Sequence, residues 1–182
     1  AEMAQLKMNF TRLDTQMQHA FATIFFVKVG TNEEEVQQAT SLSWPSKRLT
    51  DSDCKHIASV ISSGALASLQ HLNLGFNQIG DEGMKAFSTA LSSGSLASLK
   101  SLYLSGNKIG DEGMKAFSTA LSNGSLASLQ TLKFGSDPYG NPWYHYLGRG
   151  NNISDEGMEA FSSALSSGAL ASLTRLDLYS NK

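Results

Sequence analysis

Cysteine is almost missing from the chain: Cys54 stands alone among 182 residues. One thiol excludes an internal disulfide framework and points to a reducing compartment. At an apolar-periodic position, it is expected to be a buried, unreactive side chain. No apolar run approaches the ~18 residues of a membrane-spanning helix; residues 21–29 are too few, and Lys28 interrupts them. Net charge is also small, with 14 Lys and Arg against 16 Asp and Glu. The basic residues are scattered, without the stripe that a phosphate backbone requires. Nucleic acid and anionic lipid are therefore not expected partners. The four histidines sit in different elements and Cys54 lies at a core position, so neither a metal site nor a nucleophile–base pair is predicted. The recurring Asp-Glu pairs read as helix-start charges, and GDEG lacks the lysine and the spacing of a phosphate loop. No enzyme activity and no cofactor are expected. The predicted location is intracellular, cytoplasmic or organellar, and Ala1 in place of Met leaves room for a removed targeting peptide.

What is present is repetition. Residues 66–95 and 96–125 are two copies of one sequence, differing at Gln70/Lys100, His71/Ser101, Asn73/Tyr103, Gly75/Ser105, Phe76/Gly106, Gln78/Lys108 and Ser93/Asn123. Within each copy Leu72 and Leu74 alternate at period two, which predicts a short strand, while Met84, Phe87, Ala90 and Leu91 recur at three and four, which predicts a helix. Asp81 and Glu82 place negative charge at that helix's N-terminus, and Gly94 stands where a left-handed residue ends it. A unit this small cannot bury enough apolar surface alone, so its neighbours must supply the rest.

The pattern LxxLxLxxNxI (Leu69, Leu72, Leu74, Asn77, Ile79, then Leu99, Leu102, Leu104, Asn107, Ile109) resembles the leucine-rich repeat, and GDEGMKAFSTALSSG resembles the helical half of its ribonuclease-inhibitor type. The resemblance implies an α/β solenoid: a curved horseshoe with parallel strands on the concave side and helices on the convex side. It also implies that Asn77 and Asn107 bond to neighbouring backbone in a ladder. The family includes ribonuclease inhibitor, the sensing domains of NOD-like receptors and Ran GTPase-activating protein, and its arrays usually bind another protein.

The remaining chain is read against this register. Met3, Leu6, Phe10, Leu13, Met17 and Phe21 recur at three and four, predicting an amphipathic helix over residues 1–20. It is expected to cap the array's first edge, with a partner-binding or coiled-coil helix as the alternative. Residues 24–29 read as a strand stopped by Gly30, and Thr31 with Glu34 has capping-box spacing for a short helix. Residues 1–39 thus form an N-terminal cap and 40–182 the array, with units at about 40–65, 66–95, 96–125 and 126–169 and a partial unit at 170–182. The first unit is degenerate, with Leu42 and Trp44 in the strand, Lys47 in place of the asparagine, Cys54, Ile57 and Ile61 under Met84, Phe87 and Leu91, and His56 predicted to face solvent. The fourth carries an insertion, 136–149, rich in aromatics: Tyr139, Trp143, Tyr144 and Tyr146. This is either a binding loop or tolerated baggage. The last unit stops after its strand, so Leu173, Leu176 and Leu178 lack a covering helix.

Six of the seven differences between the two copies fall on the strand and its exit turn, whereas GDEGMKAFSTALS is unchanged. That asymmetry points to a concave binding face. Its columns are predicted to carry His71, Asn73, Tyr103, Lys133, Arg175 and Asp177, with Phe76 at the exit edge and the aromatic insertion beside it. The expected function is a non-catalytic module that binds a protein partner. The alternatives are a structural or linker subunit of a larger assembly and, by fold analogy alone, a GTPase regulator.

Overall fold

The computed structural model describes residues 2–135 and 150–182. The element order is α1 (Glu2–Val29), α2 (Glu33–Gln38), β1 (Ser41–Ser43), α3 (Asp51–Ser62), β2 (His71–Asn73), α4 (Asp81–Leu91), β3 (Ser101–Tyr103), α5 (Asp111–Ser122), β4 (Thr131–Lys133), α6 (Asp155–Ser166) and β5 (Arg175–Asp177). The five strands form one parallel sheet in sequence order. Neighbouring strands in a sheet lie ~4.8 Å apart, whereas helices need ~8–10 Å. Stacking β-α units in one direction therefore curves the sheet inward.

The core runs between sheet and helices. Leu72, Leu102 and Leu132 from the strands and Phe87, Phe117 and Phe161 from the helices are all buried. Phe134 replaces the leucine found at positions 74 and 104, and its ring meets Phe117 edge-on at 5.4 Å and Phe161 at 6.5 Å. At the C-terminal edge the burial fails: Leu176 is 38% exposed, where Leu72, Leu102 and Leu132 show 1% or less.

Two ladders of polar contacts join the units. The side-chain amide of Asn107 donates to Leu74 O and Leu104 O, both at 3.0 Å, and its carbonyl accepts from Ile79 N at 3.1 Å. Asn77 makes the same contacts with Trp44 O, Leu74 O and Leu49 N, and Asn151 with Leu104 O, Phe134 O and Ile109 N. The second ladder lies on the helix side. Asp81 Oδ1 accepts from Gly110 N at 2.7 Å and Gly113 N at 2.9 Å, so the first turn of one helix caps the start of the next. Asp51 reaches Gly80 N, and Asp111 reaches Ser154 and Gly157, in the same way. These bonds hold the Asp111 carboxyl below its ordinary pKa, led by the Ser154 hydroxyl and backbone.

The glycine three residues into the GDEG motif is explained by this contact. A Cβ on Gly83 would lie 2.6 Å from Asp51 Oδ1, 3.0 Å from Ile79 Cγ2 and 3.1 Å from Asp51 Cα. Gly83, Met84, Phe87, Ser88, Ala90 and Leu91 are all buried. Much of the unchanged helix sequence is thus fixed by packing, and only its remaining positions were free to drift. The asymmetry between the copies is correspondingly weaker evidence for binding than the sequence alone suggests.

The N-terminal region departs from expectation in four places. Residues 24–29 are helical, completing one 28-residue helix; Phe25 and Val29, one turn apart, are buried against the array with Phe26 partly buried beside them, whereas a strand would turn Phe26 to the opposite face. The expected capping stripe is not buried against the array, for its described members Met3, Leu13, Met17 and Phe21 are each more than half exposed. Capping falls instead to Phe25, Val29 and Val36. The N-cap of α2 is Asn32, whose Oδ1 accepts from Glu35 N, while the Thr31 hydroxyl donates to the Glu35 carboxylate. The Asn32 side chain, one residue nearer the helix, takes the role expected of Thr31.

His56 is the fourth departure. Rather than facing solvent, its ring packs on Phe25 at 5.0 Å and on Phe26 at 5.9 Å, and its Nε2 is buried without a hydrogen-bond partner. Burial lowers the imidazole pKa, against an opposing pull from Glu33 and Asp53. Beside it Lys28 Nζ donates to Asp53 Oδ2 at 2.6 Å, and Asp53 also accepts from Thr50 N and Oγ1. Burial raises the Asp53 carboxyl, but those hydrogen bonds outweigh it and leave the pKa below its ordinary value.

Three outcomes test this description. Gly83→Ala would ordinarily strengthen an isolated helix by ~1 kcal/mol; here it should destabilise by about 1–3 kcal/mol, read by urea unfolding, because α3 and α4 must separate. A pKa lowered in the folded state means that the unfolded chain binds the proton more readily, so His56 costs stability as pH falls through ~6.5 toward its lower folded value. The melting temperature should drop between pH 7.5 and 5.5, and His56→Gln should flatten that slope. Finally, appending ISDEGMEAFSSALSSG after Lys182 should raise the melting temperature by covering Leu176; an unchanged value would show that the exposed edge costs nothing.

Candidate binding surface

Strand side chains alternate between the core and the open face of the sheet. With Leu42, Leu72, Leu102 and Leu132 turned inward, the flanking positions are left on the other face. The parallel register places Ser41, His71, Ser101, Thr131 and Arg175 in one column and Ser43, Asn73, Tyr103, Lys133 and Asp177 in the next. The sheet thus brings together six of the predicted residues from four separate units. His71 and Arg175 are exposed, while Asn73, Tyr103 and Lys133 are half-buried among their column neighbours.

The centre of the surface is a contact between adjacent strands. Lys133 Nζ lies over the Tyr103 ring, 5.4 Å from its centroid. An ammonium over an aromatic face is attracted by the ring quadrupole, by ~0.5–1 kcal/mol at an exposed site. The pair therefore presents an ordered aromatic and a cation side by side. Asn73 is partly tied down, since its Oδ1 accepts from Gly75 N at 2.9 Å. Asp177 differs from expectation: it is buried, and its Oδ1 accepts from Tyr179 N at 3.2 Å. It braces the turn after β5 rather than offering a free charge.

Phe76 is shaped by its neighbour. Its backbone is left-handed, φ 57°, a conformation costly for a bulky residue, and the next unit has Gly106 at the equivalent place with φ 66°. A Cβ on Gly106 would meet the Phe76 ring at 2.6 Å, so the ring lies directly over that glycine. The Phe76/Gly106 difference between the copies is therefore one packing solution shared by two units. The insertion carrying Tyr139, Trp143, Tyr144 and Tyr146 lies outside the described residues. Its two flanks, Gly135 and Gly150, are buried against the backbone of residues 178–181, where no side chain would fit.

The other titratable groups serve the scaffold. Cys54 is buried, its thiol directed at Gly83 O at 3.3 Å, and burial followed by the nearby Asp51 and Asp53 pushes its pKa up to about 12. A thiol so protonated is no nucleophile. On the convex side Lys115 bonds Glu112 within its helix and Glu156 on the next, which raises its pKa, while Lys85 pairs only with Glu82. No group of three or more His, Cys, Asp and Glu with metal-binding geometry occurs among the described residues. No helix among them is long and apolar enough to cross a membrane.

Sequence reasoning missed the Asp ladder, Phe25 and Val29 as capping residues, and the Lys133–Tyr103 contact. The first had a signal, an Asp three residues ahead of no obvious local partner yet repeated at each helix start. The contact could have been read from adjacent column positions.

A family match agrees with this geometry. The family model "Leucine Rich repeat" matches residues 65–88, 95–118 and 149–162. Among solved structures an internalin from Listeria monocytogenes is similar, at 21% identity and a TM-score of 0.38, over 78% of this chain and 35% of that one. The chain thus spans about a third of the length of that structure. No curated protein matches. With the strand, the buried asparagine and the helix recurring in register, the array is an α/β solenoid of leucine-rich repeats.

Proposed function

We propose that this protein is a recognition module that binds a protein partner through the concave columns centred on Tyr103 and Lys133. The observation that carries the reading is the column itself. It gathers His71, Tyr103, Lys133 and Arg175 on one open face, where aromatic and arginine side chains have the chemistry of interface anchors. A leucine-rich repeat array acts in general as a protein interaction module, and the concave assignment is the finer claim. Gly135, the last described residue ahead of 136–149, follows β4 by two residues, and Tyr139, Trp143, Tyr144 and Tyr146 are included in the proposed surface on that ground.

Helices of 11–12 residues in every described unit support the ribonuclease-inhibitor-like subtype. The division into a cap, 1–39, and an array, 40–182, follows the change from α1 and α2 to the repeating units. A lone protonated thiol supports an intracellular location, cytoplasmic or organellar. The reading as a subunit of a larger assembly has one observation of its own, the exposed Leu176 at the sheet edge.

Affinity purification of the full chain followed by mass spectrometry identifies the partner. Replacing Tyr103 and Lys133 together by alanine should then weaken binding by ~2 kcal/mol or more, about 30-fold, while the melting temperature falls by no more than a few degrees, in line with the ~0.5–1 kcal/mol of their contact. Lys85→Ala is the control, because Lys115 bridges two helices and Lys85 does not. Loss of binding in Lys85→Ala, with the double variant unaffected, would place the interface on the convex side.

A further inference from the structure

Helix α1 has two faces with different fates. Its last two turns dock through Phe25, Phe26 and Val29, against α3 and the first unit. The rest carries an apolar stripe that nothing among the described residues covers: Met3 is 70% exposed, Leu13 58%, Met17 56%, Ile24 62% and Val27 77%. Together with Leu6, Phe10 and Ala20 these residues recur at steps of 3, 4, 3, 4, 3, 4 and 3. Such spacing, held over the whole helix, is the 3.5-residue repeat of a coiled-coil seam rather than the 3.6-residue drift of a surface helix lying on a globular core.

We propose that α1 pairs with α1 of a second copy of this chain as a parallel, in-register, two-stranded coiled coil. At 100° per residue the seam direction and the Phe25, Phe26 and Val29 face lie about 145° apart around the helix. Docking to the array therefore leaves the seam free, and the two arrays splay away from it without collision. Charge favours the parallel pairing. It sets Glu2 against Lys7 of the other copy and opposes no like charges at the flanking positions, with Lys28 already engaged by Asp53. An antiparallel pairing of the same stripe would place Asp14 beside its own copy. Eight seam side chains at roughly 60–120 Å² each bury about 500–1,000 Å² per helix, which meets the ~800 Å² per partner of a stable interface. A lone helix with Asn9, Thr11, Asp14, Thr15 and His19 has little reason to stay folded in water, and pairing supplies that reason.

Sedimentation equilibrium of the full chain is the test. The wild type should run as a dimer at ~50 μM, and Leu13→Asp combined with Met17→Asp should raise the dissociation constant by roughly 100-fold or more, because two charges would enter the seam. Met8→Ser, off the seam, should leave the dimer intact. In Met17→Cys a parallel in-register pair places the two thiols together, so mild oxidation should give an interchain disulfide while Cys54 stays buried. A wild type that remains monomeric overturns the proposal, whether or not it binds phosphatidylcholine–phosphatidylserine vesicles. A dimer that survives the double aspartate substitution, or one in which Met17→Cys fails to cross-link, overturns it as well.

Discussion

The fold depends on a buried side-chain amide at the end of each strand. A polar group enclosed at this depth costs free energy unless every bond it can make is made. Asn77, Asn107 and Asn151 each meet that demand by reaching backward, accepting from a backbone N–H of the preceding unit and donating to carbonyls of both units. The direction of this reach explains both ends of the array. The first unit carries Lys47 instead of asparagine without penalty, since Asn77 of the next unit already serves Trp44 and Leu49. The last, Asn181, donates to Leu178 O, but its own carbonyl oxygen is buried without a partner.

A second constraint acts on the other layer. The first-turn Asp of each helix caps the following helix, and the glycine beneath it lets the two backbones approach. With both layers locked, strands cannot slip relative to one another, because a shift by one residue would turn every core leucine outward. The columns on the open face inherit that rigidity. Residues as far apart in sequence as His71 and Arg175 become neighbours through three intervening pairings, and Lys133 settles over Tyr103 without either belonging to the core. Variation on this face leaves the scaffold intact, as the differences between the two copies show, whereas a side chain at Gly83 or Gly113 would not fit.

Most of the array was legible in the sequence, because stacked copies of one unit repeat the same physical problem and so the same residues. Leu72, Leu74, Met84, Phe87 and Leu91 announce their burial by period alone, and the column order follows once units are aligned. What the sequence obscured was whatever depends on a neighbour of another kind. The apolar residues of α1 form one continuous pattern, yet only Phe25, Phe26 and Val29 find the array; periodicity reports that a face is apolar, not what lies against it. His56 reads as a solvated position until Phe25 and Phe26 are folded over it. Asp177 sits in an outward column and is nevertheless buried, since the turn after β5 draws its carboxylate to Tyr179 N. The concave surface was legible as a set of positions, and its Lys133–Tyr103 contact only as adjacency.

The dependence on the amide ladder can be measured directly. Replacing Asn107 by alanine removes the bonds of a buried amide at once: Ile79 N loses its acceptor at the centre of the array, and Leu74 O and Leu104 O keep only the amides of Asn77 and Asn151. Equilibrium urea unfolding should then show a loss of ~2 kcal/mol or more, from ~1–3 kcal/mol for the unsatisfied N–H and ~0.5–1.5 kcal/mol for each carbonyl bond lost. A loss below ~1 kcal/mol would contradict the account, for it would mean that the units hold their register without the amide.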